Sequence, residues 1–303
     1  MSIKTKNYVP EQDLQRILNF LRNTYKETKS LANHFPNRFE NDKDNYREGI
    51  HIWEKIVNET NHESKIVGLT IPERNYLYFI QIHPDYEFLL IEIVEWVVEH
   101  FRSIKDIQKI EKNLIIVCLD GYRPLEEVLE NQEFKKSINY GYLRFRDVND
   151  PIHQFSIPDG FLIRSIKGKE EYKSYAKAIR ETFGHGDFFT SKVVESINSN
   201  SYYNPDLDLI VESPNGEIAS FCTFRMDPKS KITELEPLGT LPKYRKLGLA
   251  RAILGEGYKR LDKYNPTLLY IGGAADTPEA NKLYDSTGFT KKTKLNIWEK
   301  VLF

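Results

Sequence analysis

The second half of the chain alternates short apolar runs with amphipathic stretches. Apolar residues spaced three and four apart predict helices, whereas short apolar runs next to turn residues predict strands. The predicted order has strands in mixed directions, which is typical of an α+β sheet with helices on both faces. The predicted elements are Phe161–Ile166, Lys169–Phe183, Lys192–Asn198, Leu207–Glu212, Ile218–Arg225, Ile232–Leu241, Arg245–Lys263, Thr267–Ile271, Pro278–Ser286 and Thr293–Leu302.

The first half repeats part of this order. When Pro84-Asp85-Tyr86 is aligned with Pro242-Lys243-Tyr244, the helices that follow coincide, which indicates a weak internal duplication. An unrelated α/β domain is the alternative interpretation. The predicted boundary is Asn149–Asp159, which contains two prolines and little periodicity. The predicted elements are the strands Ile66–Ile71, Tyr76–Ile82, Leu114–Leu119 and Tyr140–Val148 and the helices Glu87–Arg102 and Leu125–Asn131.

Composition limits the classes of protein and partner. A length of 303 residues favours two domains, and 40% hydrophobic with 29% charged residues suits a soluble globular protein. Lys and Arg number 43 against 44 Asp and Glu, so no global basic field is available to collect nucleic acid. The most apolar stretch, Phe88–Phe101, contains three glutamates, and the N-terminal MSIKTKNYVPEQ lacks the apolar core of a signal peptide. We therefore expect neither a membrane span nor a nucleic-acid partner.

Cysteines and histidines predict neither a disulfide scaffold nor a metal site. Cys118 and Cys222 lie far apart in sequence and form no spaced zinc-ligand set. The histidines share no spacing typical of metal ligands. This cysteine usage is consistent with a reducing compartment, so we expect a cytoplasmic protein without a metal cofactor.

An anion site is predicted where the long helix of the second half begins. The stretch Tyr244–Arg251 directly follows a predicted strand. Unpaired backbone N–H groups and the helix dipole favour an anion at such a helix start. Gly248 would let a phosphate approach the backbone closely, and Arg245, Lys246 and Arg251 can add charge-assisted hydrogen bonds. A solvated cationic face with an indifferent glycine is the alternative.

A second motif follows the next predicted strand. Thr277 or Asp276 can cap the helix Pro278–Ser286, and Gly288 suits the left-handed position at its end. Within this helix Asn281 and Tyr284 lie three residues apart and therefore on one face.

Together the two motifs resemble the GNAT superfamily of acyl-CoA-dependent N-acyltransferases. Arg245 through Ala250 match its [Arg/Gln]-x-x-Gly-x-[Gly/Ala] coenzyme A signature, with alanine at the last position. Asn281, Leu283, Tyr284, Gly288 and Phe289 match its Asn-x-x-Leu-Tyr…Gly-Phe stretch. The resemblance covers about 161–303. It implies a mixed, mostly antiparallel twisted sheet with a splayed central strand, acetyl-CoA as acyl donor, and a small-molecule or peptide amine as acceptor.

The resemblance also implies roles for particular residues. The strand before the signature would bind the acyl group and pantetheine through its backbone, and the signature would bind the pyrophosphate. Tyr284 would protonate the departing thiolate as a general acid. The implied coenzyme site consists of Leu238, Gly239, Thr240, Leu241, Arg245, Lys246, Leu247, Gly248, Leu249, Ala250, Arg251, Asn281 and Tyr284.

A general base is expected near the acyl carbon because the acceptor amine must lose a proton. Glu236 is the first candidate and Glu234 the second, since both share parity with Leu238 in the strand that leads to the splay. The alternative is that both carboxylates lie on a solvated face. Pro237 removes a ladder donor, which fits a strand that separates from its neighbour.

The loop after the first predicted helix of this half is the candidate acceptor site. In similar proteins the corresponding loop overhangs the acceptor pocket. His185 and Asp187 are candidate polar contacts, and Phe188 with Phe189 are candidate apolar walls. A flexible loop with two core-capping aromatics is the alternative.

The first half lacks the residues of the coenzyme signature. In the alignment Glu87 replaces Arg245 and Leu90 replaces Gly248, so a carboxylate and added bulk would repel and block a pyrophosphate. Leu129 falls at the position of Tyr284. We therefore expect residues 1–150 to form a degenerate GNAT-like domain without a coenzyme site, and residues 160–303 to form the catalytic domain.

The predicted function is N-acetyl transfer from acetyl-CoA to a primary amine. The attack on the thioester would be direct, with backbone N–H groups at Leu238–Thr240 polarising the carbonyl. A non-catalytic acyl-CoA sensor or scaffold protein is the alternative. Nucleic-acid binding through the cations near 243–260 is a third possibility, which the net charge of −1 disfavours. The acceptor and the choice between monomer and homodimer stay open.

Overall fold

Two compact units make up the chain in a computed structural model that describes residues 2–28, 35–58, 63–184, 186–274 and 276–303. The first unit contains Met1–Gly141 and Thr293–Phe303, and the second contains Tyr142–Lys292. The predicted α+β class is confirmed, because each unit combines helices with a mixed, mostly antiparallel sheet. No helix within the described residues is long and apolar enough to cross a membrane.

The first unit has the strand order β1-β2-β3-β4-β5-β12. All neighbouring strands are antiparallel except β4 and β5, which are parallel. A parallel pair needs a crossover connection, and α3 supplies it. The elements are β1 (Ile3–Asn7), α1 (Pro10–Thr28), α2 (Pro36–Asp42), β2 (His51–Asn58), β3 (Glu63–Arg74), β4 (Leu77–Ile82), α3 (Leu90–Ser103), α4 (Ile107–Ile110), β5 (Asn113–Leu119), α5 (Arg123–Asn131) and β12 (Lys291–Val301).

The second unit repeats this frame as β7-β8-β9-β10-β11-β6. Here β10 and β11 are the parallel pair, and α8 is the crossover between them. Strand number and directions therefore agree between the units, as the predicted duplication requires. The elements are β6 (Lys135–Arg146), β7 (Leu162–Ser165), α6 (Tyr172–Phe183), α7 (Ser191–Asn198), β8 (Asp208–Glu212), β9 (Ile218–Met226), β10 (Ile232–Thr240), α8 (Leu249–Asp262), β11 (Leu268–Ile271) and α9 (Pro278–Ser286).

The division between the units differs from the predicted boundary. The last strand was predicted to belong to the C-terminal domain, but Leu295–Val301 of β12 pairs with Asn113–Leu119 of β5 in the first unit. Conversely, Arg144–Arg146 of β6 pairs with Leu269–Ile271 of β11 in the second unit. Each unit therefore takes its sixth strand from the other half of the sequence. An apolar strand pattern indicates a strand but does not identify its partner.

Helices cover both faces of the sheet in the second unit, as predicted. Successive strand residues point to opposite faces. Leu209 and Val211 of β8 pack in the same cluster as Ile253 of α8, whereas Ile210 between them packs with Ile179 of α6. The two buried clusters lie on opposite faces of the sheet, so β9 and β10 lie between helices. Side chains on the two faces of β10 therefore point toward different helices.

Candidate active site

An irregularity in β10 lies at the Glu-Pro dipeptide. Leu235 pairs with Phe224 and Leu238 pairs with Cys222, so Glu236 and Pro237 lie opposite the single residue Thr223. Two residues facing one constitute a β-bulge, which bends the strand and redirects its side chains.

The parallel pairing of β10 with β11 ends next to this bulge. The paired residues are Ile232–Glu234 and Leu268–Tyr270, whereas β10 itself continues to Thr240. The two strands therefore part beyond Glu234, as the predicted splay requires. The segment Leu238–Thr240 pairs with β9 on its other side. Its free edge leaves backbone groups available to a bound molecule.

A cavity of about 260 Å³ lies where the two strands part, and we call it the splay cavity. Glu236 and Leu238 line it from β10, and Tyr284 lines it from α9. The other lining residues are Phe183, Leu235, Ile271, Gly272, Gly273 and Ala274. Predicted residues from two motifs that lie far apart in sequence thus meet at one cavity.

A smaller cavity of about 60 Å³, the helix-side cavity, lies among α6, α7, β9 and β10. Apolar and aromatic side chains line most of it, together with the polar residues Asn198, Thr223 and Arg225. Glu236 lines both this cavity and the splay cavity, as does Phe183. Among the described residues, Glu236 is the one ionisable residue common to the two linings.

Glu234 has a different environment from Glu236. Its side chain is fully buried, with 0% exposed, and it lines neither cavity. The expectation that both carboxylates lie on the same side assumed a regular strand, but the bulge at Glu236 interrupts the alternation. A solvated face, the alternative interpretation, does not describe Glu234.

Tyr284 lies half-buried on α9, where Thr277 caps the helix by accepting the Ala280 N–H at 3.2 Å. Burial and then the Glu236 carboxylate raise the pKa of Tyr284 above its usual value of 10.0, although the Arg144 guanidinium acts in the opposite direction. The phenol is therefore protonated at neutral pH and can donate a proton or a hydrogen bond.

The predicted anion site is an exposed loop followed by α8. Lys246 and Gly248 have φ angles of +67° and +79°, so neither belongs to the helix. The predicted helix start at Arg245 is therefore wrong, because α8 begins at Leu249. An added Cβ at Gly248 would have no atom within 4 Å, so the space above the backbone is open. Arg245 Nε donates to the Thr240 carbonyl at 3.3 Å, which joins the loop to β10.

The first-turn N–H groups of α8 have no intrahelical acceptors and point into this loop, as at any helix start. Lys246, Leu247 and Arg251 are exposed around them, whereas Leu249 is buried and Ala250 is partly buried. The predicted signature thus combines exposed cations and backbone donors with one apolar residue that anchors the helix in the core.

Residues 172–289 match the family model described as Acetyltransferase (GNAT) family. This segment is a GNAT domain. One curated relative is a mycothiol acetyltransferase of Paenarthrobacter aurescens (strain TC1), which is 22% identical over 180 residues. The match covers 56% of this chain and 51% of that relative, so it spans about half of the relative's length.

Solved structures resemble the chain over nearly its whole length. A GCN5-related N-acetyltransferase from Sphaerobacter thermophilus has a TM-score of 0.69 at 14% identity, covering 98% of this chain and 95% of that one. A tandem GNAT protein from the clavulanic acid biosynthesis pathway also has a TM-score of 0.69, at 11% identity, covering 99% and 98%. These likenesses show the tandem GNAT fold.

Close packing explains one glycine of the GNAT domain. A Cβ at Gly239 would lie within 2.8 Å of Thr182 Cγ2 and would overlap the Phe221 ring. The Gly239 carbonyl accepts a hydrogen bond from Ser220 Oγ at 2.7 Å. Gly239 therefore brings the free edge of β10 close to α6.

Arg144 of the second unit lies next to Tyr284 and was not predicted from the sequence. It is 1% exposed and donates to Asp285 Oδ1 and to the Phe289 carbonyl, both at 2.8 Å. Its guanidinium carbon lies 5.2 Å from the centre of the Tyr284 ring. An arginine within the apolar strand pattern Tyr140–Val148 was the available signal, since a buried cation requires partners.

Asn281 also contacts Arg144, by accepting a hydrogen bond from its guanidinium. The Asn281 amide donates to Asp276 Oδ1 at 2.8 Å, and Lys292 donates to Asn281 Oδ1 at 3.0 Å. In this structure Asn281 therefore links the start of α9 to the arginine below Tyr284. Its predicted contact with pantetheine stays a prediction.

The predicted acceptor loop contributes one residue to the cavities. Phe189 lines the helix-side cavity, whereas Asp187 and Phe188 are exposed and line neither cavity. His185 lies outside the described residues. Apart from Phe189 and Glu236, most residues that line the helix-side cavity come from α6, α7 and β9, and the sequence patterns gave no reason to select them.

Cys222 is a buried residue of β9. Burial raises the pKa of Cys222 well above its usual value, which makes the thiolate unfavourable. No group of three or more His, Cys, Asp or Glu side chains within the described residues is arranged to hold a metal ion.

Proposed function

We propose that the GNAT domain transfers an acetyl group from acetyl-CoA to a primary amine. The observation that carries the proposal is the position of Glu236, which lines both the splay cavity and the helix-side cavity. A base shared by two cavities can take a proton from an amine in one while that amine attacks an acyl group in the other.

The coenzyme would extend from the α8 loop to the splay cavity. The exposed cations and the helix start would bind the pyrophosphate. The thioester would lie at the free edge of β10, where backbone N–H groups of Leu238–Thr240 would stabilise the oxyanion. Support comes from the end of β10–β11 pairing at Glu234 and from the open space above Gly248.

In the proposed reaction, Glu236 accepts a proton from the acceptor ammonium, directly or through a water. The freed nitrogen lone pair forms the C–N bond to the thioester carbon, and the C–S bond then breaks. Tyr284 donates its phenolic proton to the leaving thiolate. The phenolate then takes up the proton that the nitrogen loses after the C–N bond has formed. The raised pKa of Tyr284 supports its role as an acid.

Acetyl is the proposed acyl group. The matched curated relative is named for acetyl transfer, which supports the assignment. We expect acetyl-CoA to have a higher kcat/KM than longer acyl-CoAs, measured with the purified protein and one acceptor.

The test measures release of free thiol from acetyl-CoA in the presence of a panel of primary amines, with mass spectrometry of the product. Glu236→Gln should lower kcat by about 100-fold or more. The affinity for acetyl-CoA should change by less than about threefold, because the pyrophosphate site is untouched. Glu279→Gln, an exposed glutamate of α9, is the matched control and should retain full activity.

Two results would contradict the proposal. If acetyl-CoA binds but no amine accelerates thiol release, the chain is an acyl-CoA sensor rather than an acetyltransferase. If Glu234→Gln lowers kcat while Glu236→Gln does not, the proposed base is wrong although the reaction stands.

A further inference from the structure

The helix-side cavity contains an arginine with one buried N–H group that has no hydrogen-bond partner among the described residues. Arg225 lines this cavity from β9. Its Nε is buried and, within the described part of the chain, has no hydrogen-bond partner. A buried donor without a partner is costly, and an absent ligand is one of the few explanations for it.

Arg225 is a cation despite its burial. Burial alone lowers the pKa of Arg225, but Glu236, Tyr202 and Glu234 raise it above the ordinary value. Its guanidinium carbon also lies 5.8 Å from the centre of the Tyr202 ring. A planar guanidinium with a free Nε–H group is suited to a carboxylate.

Glu236 and Arg225 place opposite charges in the lining of the helix-side cavity. Glu236 lines the same cavity as Arg225 and is the strongest of its electrostatic neighbours. Both side chains line one cavity of about 60 Å³, so a small ligand in that cavity lies near both of them. An acceptor that contacts both must carry its amine and its anionic group only a few bonds apart.

The charge balance distinguishes between anionic groups. Arg225 has Glu236 and Glu234 as neighbours, so a ligand that adds two negative charges, such as a phosphate, would be repelled. A zwitterion adds no net charge. Asp208 accepts hydrogen bonds from two residues that line the cavity, Thr223 Oγ1 at 2.7 Å and Tyr203 Oη at 3.1 Å.

Most of the remaining lining of the helix-side cavity is apolar or aromatic. Ile179 and Phe183 come from α6, Val194 and Ile197 come from α7, and Phe189 lies between these helices. Such walls favour a hydrocarbon group over a polar one. The cavity volume of about 60 Å³ limits that group to a short side chain.

We propose that the acceptor is an α-amino acid with a short apolar side chain, whose carboxylate binds Arg225 and whose amine lies at Glu236. This inference rests on the proposed acetyl transfer and specifies its substrate class. Arg225 is then the residue that determines specificity for the carboxylate.

The test uses three acceptors that differ in one group: leucine, leucinamide and 3-methylbutylamine. With the wild-type protein, kcat/KM should be at least about 30-fold higher for leucine than for the other two, since a charge-assisted pair is lost in each. Arg225→Met should lower kcat/KM for leucine by a similar factor, mainly through KM. For 3-methylbutylamine it should change kcat/KM by less than about threefold. Arg225→Lys should recover part of the loss.

Lys173→Met, an exposed position on α6, is the control variant. Thermal unfolding and acetyl-CoA affinity of each Arg225 variant show whether the fold persists. Equal kcat/KM for leucine and 3-methylbutylamine would overturn the inference, as would equal losses for both acceptors in Arg225→Met. Neither result would affect the proposed acetyl transfer.

Calorimetric titration of leucine into the protein with bound coenzyme A tests the inference without turnover. Wild type should bind leucine, and Arg225→Met should bind it at least about 30-fold more weakly. No binding of leucine by wild type would overturn the inference. A failure of all amines to release thiol would instead overturn the proposed function.

Discussion

The helix that follows the fourth strand begins differently in the two units. In the second unit, the exposed loop Arg245–Gly248 with two positive φ angles precedes α8. In the first unit, the 3₁₀ segment Pro84–Leu89 leads directly into α3. There Glu87 accepts a hydrogen bond from Tyr122 Oη at 2.7 Å, and Glu92 accepts one from Trp53 Nε1 at 2.8 Å.

The two units share their arrangement of strands and crossover helix but differ at the start of that helix. Strand order and direction are the same in both units, and both contain a parallel pair with a crossover helix. The helix start has cations and an open backbone in one unit and carboxylates bonded to aromatic side chains in the other. A shared fold therefore does not by itself predict a coenzyme site, whereas a few residues at one helix start do.

The largest expected effect comes from giving the second unit a carboxylate at its helix start. Gly248→Glu should weaken acetyl-CoA binding by about 100-fold or more, because a carboxylate would repel the pyrophosphate and the residue has a φ of +79°. Isothermal titration calorimetry measures the affinity.

Gly216→Glu is the matched control for this substitution. Gly216 also has a left-handed backbone, with φ of +76°, but it lies in the turn between β8 and β9. The Gly216→Glu substitution should leave the affinity for acetyl-CoA within about threefold of that of the wild type. If Gly248→Glu and the wild type bind acetyl-CoA with equal affinity, the pyrophosphate does not bind at this loop.

A smaller effect is expected on the step that follows binding. Tyr284→Phe should lower kcat by about 10- to 100-fold with acetyl-CoA affinity nearly unchanged, because it removes the proton donor alone. Since the pKa of Tyr284 is raised, wild-type kcat should not decline through ionisation of this phenol below pH 10.0. Stopped-flow and steady-state kinetics measure both quantities.

Tyr264→Phe is the control for this variant, since Tyr264 donates to Asp206 Oδ2 at 3.1 Å and lines neither cavity. An undiminished kcat in Tyr284→Phe would exclude the phenol as the acid. In the first unit, the residue aligned with Tyr284 is Leu129, and its side chain is fully buried.

The smallest effect is expected from the carboxylates of the first unit. Glu87→Gln should lower the free energy of unfolding by about 1 kcal/mol, the usual value of one hydrogen bond. We expect acetyl-CoA to bind with a stoichiometry of one per chain in wild type and in this variant. Urea unfolding and calorimetry provide the two measurements, and a second coenzyme bound per chain would show that the first unit also has a site.

Local patterns predicted much of the second unit. The strand runs and helix periodicities correspond to β7–β11 and α6–α9, and Thr277 caps α9 as proposed. These features depend on residues close in sequence, so a single sequence contains the information. The start of α8 was placed four residues too early because cations and leucines suit a helix, whereas the positive φ at Lys246 is not apparent from its residue type.

The sequence by itself determined the order of elements in the second unit, the duplication and the two motifs that indicated the GNAT family, but it did not predict β1, α1, α2, β2 or α4. Tertiary structure decided which half contributes each sixth strand, because strand pairing depends on surfaces far apart in the chain. It also distinguished Glu236 from Glu234, since a bulge changes which way side chains point. Only the folded chain brings Arg144 next to Tyr284 and places Arg225 in the same cavity as Glu236, because these residues lie far apart or on different strands in the sequence.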